Sequence, residues 1–282
     1  MAVRDVIDLL ACPQCRQPLA LTDDGRSVRC ASGHVFDLAR QGYLNLSRRA
    51  APRNADTTTM VAARDRFLTA GHYRPLADGL SELAERDGGS PASRLLDVGI
   101  GTGYYLARLL DARPAARGIG LDVSVAAARR AARAHARIGS VVADAWGVLP
   151  VADDAIDLVL NVFAPRHGAE FARVLAPAGL VITATPEQDH LAELRSGLGL
   201  LHIASSKQEQ LQAAWGGALV QESSETLRYG CDLDRAAAQD LIQMGPNAFH
   251  LEAPRIAELV ASAPEVLPVT VAVTLTRWRS TA

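Results

Sequence analysis

A chain of 282 residues is long enough for one large domain together with a small one. Its hydrophobic content of 49% and charged content of 21% are those of an ordinary globular protein that can bury a full core. The net charge of −2 excludes a global basic field aimed at nucleic acid, and no apolar run approaches the roughly 20 residues that a bilayer span needs.

The amino terminus lacks the apolar stretch and cleavage site of a signal peptide, so we expect a cytoplasmic protein with no membrane partner. Positive charge is concentrated locally, because the stretch from Arg40 to Arg53 holds four arginines and no acid. An RNA backbone could dock on such a stretch, and Arg48, Arg49 and Arg53 are therefore candidate RNA-binding residues. The general preference for arginine, with Lys207 as the only lysine, would also follow from a GC-rich genome.

Residues 1–46 predict a small metal-binding unit. A Cys-x-x-Cys turn offers two sulfurs, and a later Cys-x-x-x-His turn offers two further ligands. The predicted ligands are Cys12, Cys15, Cys30 and His34. Four protein ligands close a tetrahedral shell, so we predict a structural zinc ion with no open position for a reacting water. A redox dithiol would need a thioredoxin-like context that is absent here, and chance clustering is the other alternative.

The region up to residue 91 alternates short elements with turns. Strands over 28–30 and 34–37 are predicted to flank a Ser32-Gly33 turn, which is the hairpin that a metal knuckle needs. Residues 47–59 are polar and indicate a linker. Apolar residues at helical spacing predict one helix from Met60 to a turn at Gly71 and another over 76–86, before a break at 87–91.

From residue 94 onwards strands and helices alternate. This rhythm predicts an α/β fold with a parallel, doubly wound sheet whose ligand lies at the carboxyl ends of the strands. The predicted strands cover 94–98, 118–123, 140–143, 156–163 and 180–185, and the predicted helices cover 104–112, 125–135 and 170–175, with a turn at 177–179. The tail predicts helices around 209–215 and 235–243, and a strand over 267–278 that would suit an antiparallel hairpin closing the sheet.

A glycine-rich turn, Asp97-Val98-Gly99-Ile100-Gly101-Thr102-Gly103, ends the first strand of this series and opens a helix. Glycines let the backbone turn sharply and approach a ligand closely. The spacing is neither that of dinucleotide enzymes nor that of the lysine-containing phosphate loop. It is similar to the first motif of class I S-adenosylmethionine (SAM) methyltransferases, which implies cofactor contacts at this turn.

Acidic residues at strand ends extend the predicted cofactor site. Asp122 lies where a carboxylate would accept both ribose hydroxyls, and Asp144 is placed for the adenine amine. A helix N-cap or an exposed loop position is the alternative for each. Tyr73, in the turn after Gly71, could cover the cofactor, and His190 could meet the methionine carboxylate.

The segment after the fourth strand, Asn161-Val162-Phe163-Ala164-Pro165, departs from the Asn/Asp-Pro-Pro-aromatic motif of exocyclic amine methyltransferases. That departure argues against adenine N6 or cytosine N4 as the methylated atom.

Several runs of the chain together resemble the 23S ribosomal RNA guanine-N1 methyltransferases, including the actinomycete members that confer resistance to tylosin and related macrolides. The resemblance extends over nearly the full length. It rests on Cys12-Pro13-x-Cys15, Cys30-x-x-x-His34-x-Phe36-Asp37, Gln41-Gly42-Tyr43-Leu44-Asn45-Leu46, Ala63-Arg64-x-x-Phe67-Leu68-x-Ala70-Gly71-His72-Tyr73-x-Pro75-Leu76, Gly120-Leu121-Asp122-Val123-Ser124, Val181-Ile182-Thr183-Ala184-Thr185-Pro186 and Met244-x-Pro246. Ile100 and Asn161 depart from some relatives, which carry Cys and Arg there.

The resemblance implies zinc on the four named ligands, and SAM near Tyr73, Gly101, Thr102 and His190. It also implies methylation of a guanine in a hairpin loop of domain II of 23S rRNA. The segments would be a zinc-binding RNA-recognition domain at 1–46, a linker and helix at 47–72, and a SAM-dependent methyltransferase domain at 73–282.

No catalytic residue is assigned. Asp37, His72, Arg166 and His167 are candidates by residue type for handling the guanine N1 proton or stabilising its O6. Two alternatives stay open, a methyltransferase acting on a small molecule and a zinc-bearing RNA-binding protein with an inactive methyltransferase fold. Association as a homodimer is open as well.

Overall fold

A computed structural model describes residues 2–86, 93–198 and 217–281 of the chain. The helix predicted around 209–215 and the break predicted at 87–91 lie outside these ranges. Within them no helix is both long enough and apolar enough to cross a membrane.

The metal-binding unit begins with a 3-10 helix, Ala2–Leu9, and continues as an antiparallel sheet of β1 Leu19–Leu21, β2 Ser27–Cys30 and β3 Val35–Asp37. The predicted hairpin around Gly33 is confirmed as β2 and β3. Gly33 has a φ of +85°, which explains the glycine at this turn.

Two helices follow the polar linker. Helix α1 is Thr58–Thr69, and it starts two residues before the predicted Met60 because the Thr57 side chain caps it by accepting from the Met60 amide at 3.2 Å. Helix α2 is Arg74–Glu85, with Pro75 in its first turn, where a missing N–H is tolerated.

The central sheet has eight strands in the order β10-β11-β9-β8-β5-β6-β7-β4. The strands are β4 Tyr43–Asn45, β5 Arg94–Val98, β6 Arg117–Asp122, β7 Ile138–Val142, β8 Ile156–Val162, β9 Leu175–Pro186, β10 Leu219–Asp234 and β11 Val266–Ser280. From β9 to β4 all pairs are parallel, and β10 and β11 form the predicted antiparallel hairpin at the edge. The strand order reverses between β5 and β8, so that switch point opens a crevice at their carboxyl ends.

Helices connect these strands and cover the sheet. They are α3 Tyr104–Asp111, α4 Val125–Ala131, α5 Gly168–Val174, α6 Ala192–Leu198, α7 Arg235–Gln243 and α8 Ala253–Ala261, with a 3-10 helix at Pro246–Phe249. The predicted extension of α4 to residue 135 is wrong, as is the turn predicted at 177–179. Strand β9 instead runs through that segment, with Ala178 at a φ of +63°.

Both faces of the sheet are buried, as a largely parallel sheet requires. Leu95 on β5 packs in one core with residues of α2, α3 and α7. Its neighbour Leu96 packs in a second core with residues of the first 3-10 helix, the metal-binding unit and α5. This arrangement confirms the predicted doubly wound α/β sheet.

The metal-binding unit is anchored to the large sheet rather than tethered by the linker alone. Strand β4 pairs in parallel with β7, and the Leu46 amide donates to the Val142 carbonyl at 3.0 Å. Leu10 also forms an antiparallel bridge with Val151. The segment boundaries at 1–46, 47–72 and 73–282 stay a prediction, but the described contacts pack these segments against one another.

Candidate active site and metal centre

Two turns bring the four predicted metal ligands together. Their ligand atoms all lie within 4.8 Å of one another, and this is the only such group among the described His, Cys, Asp and Glu residues. His34 Nδ1 lies 3.5 Å from Cys12 Sγ and 3.4 Å from Cys30 Sγ, and Cys15 Sγ lies 3.6 Å from Cys30 Sγ. A tetrahedral zinc ion with sulfur ligands at ~2.3 Å separates neighbouring ligands by about 3.5–3.8 Å. The residues therefore fit zinc.

The glycine turn forms a cradle at the carboxyl end of β5. Gly99, Gly101 and Gly103 all have positive φ, between +56° and +86°. A Cβ on Gly99 would lie 2.4 Å from Ala164 Cβ, and one on Gly103 would lie 2.7 Å from Ala134 Cβ. The turn therefore needs glycine both for its backbone conformation and for its close packing.

Asp122 holds this cradle in place. Its carboxylate accepts from the Gly101 amide at 2.9 Å through one oxygen and from the Ser124 amide at 2.9 Å through the other. Burial raises the pKa of Asp122 against the lowering effect of these two donors. The second lone pair on each oxygen is free for the predicted ribose contacts, which stay a prediction.

Asp144 lies one strand further out and is exposed. Its Oδ1 accepts from the Trp146 amide at 2.9 Å, so it organises the loop after β7 as the alternative loop role implies. Contact with the adenine amine stays a prediction.

Asp97 is buried at the end of β5, and no described donor contacts its carboxyl group. Burial, with a smaller contribution from Asp122, raises the pKa of Asp97 to about 8. A buried carboxyl without a donor is costly when ionised. The α-ammonium group of SAM is the cofactor group that would pair with it, which is how Asp97 fits the predicted site.

Tyr73 and His190 form a buried pair at the same edge of the sheet. The Tyr73 hydroxyl lies 3.3 Å from His190 Nε2, and His190 Nδ1 accepts from the Ala272 amide at 3.3 Å. Burial, followed by the nearby Arg195 charge, lowers the pKa of His190 to about 4, so its imidazole is neutral. A neutral ring with an accepting Nδ1 carries its proton on Nε2. His190 therefore donates to the Tyr73 hydroxyl. The predicted contacts of Tyr73 and His190 with the cofactor stay a prediction.

Arg64 and Asp56 form a lid over the cradle that the sequence did not predict. The Arg64 guanidinium on α1 pairs with Asp56 and donates to the Met244 carbonyl at 2.7 Å. It lies 3.3 Å from the position of a Cβ on Gly101, and Ser124 Oγ donates to the Asp56 carbonyl at 2.6 Å. Arg64 lies within the region of the resemblance, but sequence spacing gives no sign that the linker folds back over the glycine turn.

The loop after β8 packs directly against the cofactor cradle. Asn161 is fully buried, and its Nδ2 donates to the carbonyls of Val98 at 3.2 Å and Pro165 at 2.9 Å, which pins the loop. Its Oδ1 is a buried acceptor with no partner among the described residues. The Phe163 ring is 40% exposed and its centroid lies 6.3 Å from that of Tyr73. This loop and the Tyr73 side chain therefore border the same opening.

Of the four candidate catalytic residues, three have structural partners elsewhere. Asp37 lies in the metal-binding hairpin and accepts from Ser27, and His167 accepts from the Glu170 amide as the N-cap of α5. His72 packs on Phe67, with its Nδ1 3.6 Å from Cys231 Sγ.

Arg166 is different from these three. Its guanidinium donates to Thr185 Oγ1 at 2.8 Å and the Ala184 carbonyl at 3.4 Å. In the described part of the chain it has no carboxylate partner. Burial lowers the pKa of Arg166 to about 10, so the group still carries its charge at neutral pH.

Comparison with known proteins agrees with this geometry. The chain is 44% identical over 98% of its length, and 98% of the relative's length, to the 23S rRNA (guanine(748)-N(1))-methyltransferase of Streptomyces fradiae. The chain belongs to the 23S rRNA guanine-N1-methyltransferase family. A Micromonospora griseorubida protein assigned to the same class is 43% identical over 98% of both chains, and one from Bacillus subtilis is 31% identical over 89% of this chain and 90% of the relative.

Two family models match separate parts of the chain. A zinc-ribbon model described as RlmA, N-terminal, matches residues 10–47, and a methyltransferase-domain model matches residues 95–179. This guanine-N1-methyltransferase family member thus has a class I SAM-methyltransferase fold with an N-terminal zinc ribbon. Its cofactors are SAM and a structural zinc ion, for which the three cysteines and His34 supply a fitting set of ligands. The position of SAM at the glycine cradle stays a prediction.

Proposed function

We propose that the chain transfers the methyl group of SAM to N1 of guanine 748 in 23S rRNA. The observation that carries the proposal is the 44% identity to the Streptomyces fradiae enzyme along 98% of both chains, which includes the zinc ribbon as well as the methyltransferase domain. A hairpin-loop guanine is partly unpaired, so extruding it into a pocket costs little. Protection against tylosin-type macrolides is the biological role we propose for this reaction.

The proposed chemistry has one electrostatic requirement. Bound SAM supplies an electrophilic methyl group, and the protein has to align the acceptor nitrogen with it. Guanine N1 carries a proton that has to leave before or during attack, and the resulting negative charge spreads onto O6. A fixed positive group beside O6 stabilises that charge in a site from which water is excluded.

Arg166 is the residue that we propose for this role. Its guanidinium is charged, partly buried and without a described carboxylate partner. Arg166 lies in the loop after β8, and its side chain contacts Thr185 near the end of β9. Its contacts with Thr185 and Ala184 use only Nη2. The donors on Nε and Nη1 are then available to the guanine O6.

The proposal implies a ribosomal RNA hairpin as partner and therefore a cytoplasmic location. Residues Arg48, Arg49 and Arg53 are all exposed and are proposed to contact the RNA backbone. Homodimer formation stays a prediction, which light scattering of the purified protein would test.

A small-molecule acceptor is the second candidate function. Malonyl-[acyl-carrier protein] O-methyltransferase of Methylococcus capsulatus is 32% identical, but over only 59% of this chain and 67% of its own length. That partial coverage favours RNA as the substrate.

Transfer of labelled methyl groups tests the proposal. A domain II hairpin fragment should accept label from SAM, and the same fragment with guanine 748 replaced by adenine should not. Equal labelling of both fragments would contradict the proposed target. Binding of SAM without labelling of any RNA would favour the small-molecule reading instead.

A further inference from the structure

A groove of about 590 Å³ lies beside the cofactor edge and shares only Asp144 with the site described above. Three segments line it. They are the first zinc knuckle with Pro13, Gln14 and Arg16, the segment after β4 from Leu46 to Arg49, and the loop after β7 from Ala143 to Pro150. We call this cavity the ribbon groove. It is bounded by both parts of the molecule, so its shape depends on how they dock.

One wall of the ribbon groove presents an exposed aromatic ring. Trp146 is 69% exposed, and its indole has no described partner. The loop that carries it is nevertheless held, because Asp144 Oδ1 accepts from the Trp146 amide and Glu170 accepts from the Leu149 amide at 2.7 Å. The face of the indole is therefore available for stacking, and the anchored loop holds it in one position.

The segment after β4 brings positive charge to the groove. Arg48 and Arg49 are exposed and have no acidic partner within the ranges that the structure describes, whereas Arg16 is paired with Asp153 at 2.6 Å. The Ser47 hydroxyl donates to the Arg49 carbonyl at 2.7 Å and so fixes the turn that presents both side chains. The lining includes one acid, Asp144, so the groove has an excess of positive charge.

The position of the groove relates it to the reaction. Strand β7 pairs with β6 so that Val142 is opposite Asp122, and the Ala143 amide donates to the Asp122 carbonyl at 2.9 Å. The groove therefore begins one residue beyond the backbone that borders the cradle. A chain bound at the catalytic opening can continue into it.

An aromatic face next to guanidinium groups is the combination that binds single-stranded nucleic acid, since bases stack on the ring and phosphates pair with the arginines. We propose that the ribbon groove binds a single-stranded nucleotide of the substrate RNA near the methylated guanine, with its base stacked on Trp146 and its phosphate at Arg48 and Arg49. This inference rests on the proposed function.

Steady-state kinetics with the domain II hairpin fragment test it on the full-length enzyme. Trp146→Ala should raise the KM for RNA by about 5- to 150-fold, the range expected for loss of one stacked base. Trp146→Phe should restore most of the affinity, and kcat and the Kd for SAM should stay near those of the wild type. Phe249→Ala removes another exposed aromatic ring, outside the groove, and serves as the matched control.

The contribution of Arg48 and Arg49 is measured separately, from the salt dependence of RNA binding. Arg48→Gln with Arg49→Gln should reduce the slope of log Kd against log salt by about 1.4, because each single-strand phosphate contact contributes about 0.7. Arg255→Gln, which changes an exposed arginine on α8, should leave the slope unchanged.

Three results would overturn the inference. If the wild type methylates the fragment and Trp146→Ala has an unchanged KM for RNA, the proposed function stands but the groove does not bind the substrate. A parallel loss of SAM affinity would show that the groove belongs to the cofactor pocket. A wild type that binds SAM and methylates no RNA would refute the proposed function itself, and the groove with it.

Discussion

The metal centre takes all its ligands from residues 12–34, whereas the cofactor site is assembled from side chains between residues 56 and 190. Two turns with fixed spacing suffice for the first. The second requires the ends of β5, β6 and β9 and a lid from α1 to meet at one edge of the sheet. The metal centre is thus stabilised by its ion, and the cofactor site by the packed sheet beneath it, so they should respond differently to mutation.

Loss of a metal ligand should have the largest effect. Cys30→Ser should abolish zinc binding and lower the melting temperature strongly, because structural zinc sites contribute on the order of 10 kcal/mol of binding free energy to folding. Zinc analysis and thermal unfolding measure both effects. Cys231→Ser, outside the centre, should keep its zinc. Retention of zinc by Cys30→Ser would contradict the assigned ligand set.

Arg166 tests the chemistry rather than the stability. Arg166→Gln should lower kcat by about 100- to 1,000-fold, as expected for loss of one donor to a developing anion. The rate of this variant should also keep rising with pH beyond the point at which the wild-type rate levels off. Without the neighbouring guanidinium, the guanine N1 proton is lost only at higher pH. Arg166→Lys should restore part of the rate. An unchanged pH profile in Arg166→Gln would show that the residue only stabilises the end of β9 and takes no part in the reaction.

The cradle itself is tested by Gly99→Ala. The new Cβ would meet Ala164 at 2.4 Å at a φ of +82°, so we expect SAM binding to weaken by about 30- to 900-fold, corresponding to roughly 2–4 kcal/mol of overpacking and backbone strain. Calorimetric titration with SAM measures the change. Gly230→Ala adds a Cβ where nothing lies within 4 Å and is the matched control. Equal affinities for the two variants would place SAM elsewhere.

Asp97 predicts a pH dependence of cofactor binding. With its pKa raised to about 8, the free protein holds this carboxyl protonated at neutral pH. A cationic ligand favours the ionised form, so SAM affinity should rise with pH, by up to about tenfold per unit, and level off above about 8. For the same reason the free protein should lose stability as pH rises from about 4 to about 8, the ordinary and the raised pKa of Asp97, and should lose no more from this group above that range. Asp97→Asn should flatten both profiles, and a wild-type affinity that falls with rising pH would contradict this assignment.

The smallest expected effect concerns Tyr73. Tyr73→Phe removes only the hydroxyl, so we expect SAM affinity to fall by about fivefold, close to the ~1 kcal/mol of a single hydrogen bond. His190→Gln keeps a donor for Tyr73 and should cost less than His190→Ala. A Tyr73→Phe variant that binds SAM as well as the wild type would exclude the hydroxyl from the site.

Sequence spacing predicted the metal ligands, the glycine turn and the parallel, doubly wound sheet around it, because each depends on local periodicity or on a short turn. The Asp56–Arg64 lid and the ribbon groove were missed, since both arise from contacts between segments far apart in the chain. Strand β4 shows the same limit. Three residues of a predicted zinc domain complete the sheet of the large domain, and no local pattern shows where a short edge strand will pair.

The packing of residues 1–46 on the large sheet also determines which experiment can distinguish an RNA substrate from a small-molecule substrate. From the sequence alone, deleting residues 1–46 should spare the activity of a small-molecule methyltransferase. In the folded chain that deletion removes β4 and the helix Ala2–Leu9, which is buried against the sheet, so it would damage any activity. Substitutions within the ribbon groove leave the sheet intact and are the better discriminator.

Primer extension on unmodified 23S rRNA, after incubation with the enzyme and SAM, tests the central claim most directly. A methyl group on N1 blocks Watson–Crick pairing, so reverse transcriptase should halt at a single new stop beside guanine 748. A stop elsewhere, or no stop while SAM is bound and consumed, would contradict the proposed reaction.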